Sequence, residues 1–161
     1  MTVKLLKKGL FLASQLRNEP DKWLRENKDE FKGRSCVLLG AGQSLDSFQF
    51  EDLSGLYTMG VNSALLFPIV NLNFYMSISK IFYRGYISEI EALTCDRKFL
   101  PRFMQGDIED DENVSWINEI PYGSHKDFAP ERPLQYSSRP DKYMFLGGSV
   151  VGNAIHILDY L

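Results

Sequence analysis

"SCVLLGAGQSLD", residues 35–46, decides how this chain is read. Residues 35–40 predict a buried strand: four strand-forming apolar residues, Cys36 to Leu39, run into Gly40 and Gly42 and then Ser44. Such a strand either opens into a phosphate-binding turn or ends in a tight turn that glycine permits by its backbone freedom. The segments around it decide between the two.

Residues 57–61, "YTMGV", have the composition of a second strand, ending at Asn62. Residues 73–79, "NFYMSIS", predict a third, with Phe74, Met76 and Ile78 alternating against Tyr75, Ser77 and Ser79. Ile81, Phe82, Tyr86, Ile90 and Leu93 then recur at helical spacing across 80–94, despite Gly85. "RKFLPRFM", 97–104, is a fourth strand candidate, and 113–117 a short fifth inside a weakly patterned region from 105 to 142. "GGSVVGNAIHILDYL", 147–161, predicts a glycine-opened amphipathic helix. Strands alternating with helices predict a three-layer, Rossmann-like α/β fold with a mainly parallel sheet. The first three strands should be adjacent, in order 3-2-1 or 2-1-3.

Upstream, residues 2–17 set Leu5, Leu6, Leu10, Leu12, Ala13 and Leu16 against three lysines, and a second helix is expected from Pro20 to Gly33. This N-terminal helical hairpin, 1–33, is expected to cap a nucleotide-binding domain at 34–161. Its basic helix also suits peripheral contact with an anionic membrane surface.

The 161 residues are 44% hydrophobic and 24% charged, a composition that folds around a core. A net charge of -3 argues against general nucleic-acid binding. Cys36 and Cys95 form no C-x-x-C pair, which fits two reduced thiols in a cytoplasmic protein. No apolar stretch is long enough to predict a transmembrane segment.

The dinucleotide fingerprint G-x-G-x-x-G fails at its third glycine, where Leu45 stands, and Asn62 replaces the acid an NAD ribose needs. No G-K-[ST] run makes a Walker loop. Gly40-Ala41-Gly42-Gln43-Ser44-Leu45 instead resembles the G-x-G-P-S-L turn of a Rossmann-like family. That family comprises bacterial sialyltransferases, flagellin-modification proteins and 6-hydroxymethylpterin diphosphokinase-like proteins. "KGRSCVLL", "YTMGVNSALLF" and "GGSVVGNAIHILDYL" follow the family in order and spacing, over roughly residues 32–79 and 143–161.

The resemblance implies a nucleotide held by Gly40, Gly42, Gln43, Ser44, Asn62, Ser77, Gly148 and Ser149, and in the sialyltransferases a CMP-sugar. It implies a glycosyltransferase-like protein of surface polysaccharide or flagellin modification, placed in the cytoplasm or at the inner face of the membrane. The alternatives are an ATP- and Mg²⁺-dependent diphosphokinase-like enzyme and a non-catalytic module binding a nucleotide or a protein. No resident cofactor or metal is expected under the first reading, and a homo-oligomer is compatible with it.

The chain departs from the family at Ala41, at Gln43 and at Ser77-Ile78-Ser79-Lys80, where many relatives have an Asp. The family's next strand and the sialyltransferases' catalytic His would follow Leu161, so the domain is expected to be incomplete at its C-terminus. No residue here inherits the catalytic role. An apolar surface or open sheet edge is expected near residue 161, covered by a second copy.

Other residues have plainer readings. His125 reads as a solvated loop residue and His156 as a helix-face residue. The acidic run 107–112 reads as a solvated loop, with Mg²⁺ beside a diphosphate as the sharper alternative. Arg132, Arg139 and Lys142 read as an ordinary exposed loop, with a lid that closes over phosphates as the sharper alternative.

Overall fold

A computed structural model describes residues 20–42, 53, 55–67, 71–108, 112–121, 139–142, 144–146 and 149–161. The helix expected at 2–17 lies outside these, as do Gln43, Ser44, Gly148, His125 and Arg132.

Five strands form one all-parallel sheet: β1 (Cys36–Leu39), β2 (Tyr57–Val61), β3 (Phe74–Met76), β4 (Arg97–Pro101) and β5 (Val114–Ile117). Their spatial order is β1-β2-β3-β4-β5, so the first three take the 3-2-1 arrangement. Pairs such as Leu39–Gly60, Val61–Met76 and Pro101–Ile117 fix the register. Past Asn118 the chain continues as β6 (Glu119–Pro121), which pairs in parallel with β7 (Met144–Leu146). Each of these two has three residues, too few for periodicity to reveal.

Sequential order in a parallel sheet sends every crossover to one face, because such crossovers are right-handed. Ala64, Tyr83, Ile90 and Met104 from those connections pack there against Tyr75, Leu100 and Trp116 of the strands. The opposite face carries Met59, Phe74, Met76 and Phe99, covered by Leu24 and by Ala154 and Ile157 of the final helix. This makes three layers. Being buried on both faces, β3 has no solvent side, and even Ser77 just beyond it is fully buried.

The helices are shorter than the sequence suggests. Asp21 caps α1 (Lys22–Glu26) by accepting from the Leu24 N–H at 2.8 Å. The chain then leaves the helix rather than continuing to Gly33. Asp29 takes φ 61°, and the N–H groups of Asp29 and Phe31 donate to the carbonyls of Tyr160 and Leu161. Unsatisfied carbonyls at the end of the last helix thus capture donors that a longer α1 would have used internally.

The 80–94 segment divides at Tyr86 into α2 (Lys80–Gly85) and α3 (Ile87–Ala92). β4 stops at Pro101, and Arg102–Met104 form a single 3-10 turn instead of more strand. The last helix, α4 (Val150–Tyr160), packs on β1, β2 and β7.

The 139–142 segment is pinned beneath the sheet. Arg139 forks onto Asp141 at 2.8 and 2.6 Å, and the Asp141 side chain has no exposed surface. The Asp141 carbonyl accepts from the Asp21 N–H, and the Asp21 carboxylate accepts from Ser115. Arg139 is therefore committed to a structural pair near Tyr160, at the opposite end of α4 from Ser149, and is not poised as a phosphate lid there.

Candidate ligand site at the carboxyl edge

In parallel α/β sheets ligands settle beyond the carboxyl ends of the strands. There the described residues place Gly40 after β1, Asn62 after β2, Ser77 and Lys80 after β3, and Arg102 after β4.

Asn62 anchors this edge. Its φ of 47° lies in the left-handed region, which asparagine tolerates better than most residues. Two bonds hold it there. Tyr75 Oη donates to the Asn62 carbonyl at 3.0 Å, and Ser77 Oγ donates to Asn62 Oδ1 at 3.1 Å. Both donors come from one face of β3. Burial raises the Tyr75 phenol far above its usual range, so it remains a donor across the physiological range. With Oδ1 engaged, the amide nitrogen of Asn62 is the group left to donate to a ligand.

Gly40 follows the Leu39–Gly60 pair, so it leaves the sheet beside the β2 end that carries Asn62. It is exposed, its φ lies outside the left-handed region, and an added Cβ would meet nothing within 4 Å. Neither turn strain nor packing calls for glycine at 40. Close approach of a ligand to the backbone is a use that remains. Gly60 is different: a Cβ there would lie 2.6 Å from Leu72 Cδ1, so this glycine serves packing.

Ser149 caps α4, its hydroxyl accepting from the Val151 N–H at 3.2 Å. The far end of this helix meets Cys36 and Tyr57 at the amino ends of β1 and β2, so Ser149 stands toward the carboxyl side. It approaches from the face opposite to Tyr75 and Ser77. The structure thus joins Asn62 to Ser77 directly and sets Gly40 on the adjacent strand, while Ser149 arrives from the other layer. Gly42 is exposed beyond Gly40.

Sequence reasoning did not count two cations as site residues. Lys80 opens α2 with Nζ 4.5 Å from the Phe103 ring centroid, and Arg102 starts the turn after β4. Their position immediately after apolar strands was the available signal. His156 sits on α4, where burial lowers its pKa and Asp159 opposes the shift.

No protein family, curated protein or solved structure matches this chain.

Among the described residues no helix is long and apolar enough to cross a membrane.

Proposed function

We propose that the carboxyl edge binds a nucleotide or nucleotide-sugar, and that the chain is a glycosyltransferase-like protein of surface polysaccharide or flagellin modification. The observation that carries the binding reading is Asn62, held in a left-handed conformation by Tyr75 and Ser77 beside a glycine that local structure does not require. A residue kept in a sparsely populated backbone region by buried partners is a mark of a functional position.

In this reading the phosphate approaches the backbone of Gly40 and Gly42, which carry no side chain of their own. The Asn62 amide donates to the ribose or to a base edge. Lys80 supplies positive charge to the phosphate, and the α4 N-terminus adds its dipole. The transferase part of the reading rests on the resemblance of the glycine turn and its flanking segments to the sialyltransferase-related family.

Calorimetric titration with CMP, CDP, UDP and ATP, with and without Mg²⁺, tests it. Saturable binding of a pyrimidine nucleotide without Mg²⁺ is expected. Binding of ATP alone, and only with Mg²⁺, would move the reading to the diphosphokinase-like alternative. No nucleotide binding at all would contradict it.

A further inference from the structure

A second recess lies at the opposite, amino edge of the sheet. A cavity of about 210 Å³ opens there between the starts of β1 and β2 and the end of α4. Its apolar wall includes Phe31, Tyr57, Phe74 and Leu158, and its polar members include Arg34 and Cys36.

The three rings make a pocket of definite shape. Phe31 stands edge-on to Tyr57 and to Phe74, with centroids 5.0 and 5.5 Å apart. Tyr57 and Phe74 lie within 11° of parallel at 6.2 Å. Phe74 is 2% exposed and forms the floor of the recess, so a flat ring entering it packs on the half-buried rings of Phe31 and Tyr57. For scale, an apolar cavity of about 150 Å³ lined by Leu, Ile and Phe admits benzene.

Arg34 supplies the polar end. Its guanidinium lies 5.7 Å from the Tyr57 centroid, and Nη1 donates to Tyr57 Oη at a long 3.3 Å. Among the described residues no carboxylate pairs with it. The planar fork of arginine matches a carboxylate, and a cation would be repelled. Cys36 does not oppose an anion, because burial pushes its thiol up to about 11 and leaves it uncharged at neutral pH.

We propose that this cavity binds a small planar apolar molecule bearing a carboxylate, its ring against Phe31 and Tyr57 and its carboxylate on the Arg34 guanidinium. The site is separate from the carboxyl edge and stands or falls independently of nucleotide binding.

Three probes of one size test it: benzoate, benzyl alcohol and benzylamine, titrated by amide chemical-shift changes into the wild-type chain and Arg34→Gln. Benzoate is expected to saturate, moving the signals of Cys36 and Tyr57, and to bind about ten-fold or more tighter than benzyl alcohol. Arg34→Gln should weaken benzoate by a similar factor and leave benzyl alcohol unchanged. Arg34 is exposed, so the variant is expected to fold; the three-probe ranking in wild type decides the matter without it. Benzoate should also slow iodoacetamide labelling of Cys36, read by peptide mass separately from Cys95. Absence of saturation, equal binding of benzoate by Arg34→Gln, or benzylamine binding as well as benzoate would overturn the proposal. So would Cys36 protection that rises with protein concentration in the absence of benzoate, since a second copy would then fill the cavity.

Discussion

Ser77 donates its hydroxyl to the Asn62 carboxamide at 3.1 Å, and the same asparagine keeps a φ of 47° at the end of β2. The bond ties the tips of two adjacent parallel strands together, and Ser77 is fully buried. Two substitutions separate the roles of this residue. Asn62→Gly keeps the left-handed backbone at ease but removes the Ser77–Asn62 side-chain bond, at a cost on the order of 1 kcal/mol. Asn62→Ala should be less stable than Asn62→Gly by about 1 kcal/mol, because alanine is strained at that φ. Both should lose nucleotide affinity to the same extent, since both lack the amide. Denaturant midpoints and titrations of the two variants side by side check this.

Packing at the middle of β2 gives a second expectation. The Cβ of a Gly60→Ala variant would fall 2.6 Å from Leu72 Cδ1 and 3.3 Å from Ala64 Cβ. Leu72 is buried and must shift, so a loss of about 1–3 kcal/mol follows. Adding Leu72→Ala should recover part of that relative to Leu72→Ala alone, and a double-mutant cycle in thermal melts should show favourable coupling.

The Arg139–Asp141 pair sets a pH dependence. The Arg139 guanidinium holds the Asp141 carboxyl below the ordinary carboxylate range, so the folded pKa lies under the unfolded one. Its contribution is present above the unfolded value, 3.8, and is lost as pH falls through the folded value. Asp21 runs the other way. Burial raises its pKa, so its contribution is full below the unfolded value and is lost as pH rises through the folded one. Asp141→Asn should therefore lower stability at pH 7, on the order of 1–3 kcal/mol, a range kept low because Arg139 is partly exposed. The gap between wild type and variant should narrow as pH falls below 3.8, because the unfolded chain takes up the proton before the folded Asp141 does. Melts at neutral pH and below that value decide it; an unchanged gap would show that the carboxylate charge is not what holds the segment.

The sheet was legible because its strands are apolar and bounded by polar residues. Cys36–Leu39, Tyr57–Val61 and Val114–Ile117 lie within or on the stretches their composition predicts. The alternation in 73–79 correctly separated the faces of Phe74 and Tyr75, but not their solvent exposure, because β3 is covered on both sides. Helix lengths were less legible, since the end of α1 is set by carbonyls of α4 that are remote in sequence. Asn62 and Ser77 could be named from their positions at strand ends, whereas the bond between them depends on the register of β2 and β3. β1 is the edge of the sheet, so Cys36 to Leu38 are only half-buried where the apolar run predicts a buried strand.

Whether a nucleotide occupies the carboxyl edge is tested most directly by mapping amide chemical shifts during titration with CMP, in the wild-type chain and in Gly40→Val. A Cβ at 40 meets nothing within 4 Å, and valine puts a branched side chain in the path of the phosphate. The predicted result is saturable shifts at Gly40, Gly42, Asn62 and Ser77 in wild type, with little change at Cys36 and Tyr57 on the amino edge, and loss of those shifts in a folded Gly40→Val. Shifts confined to the amino edge, or an undiminished response in folded Gly40→Val, would contradict the account.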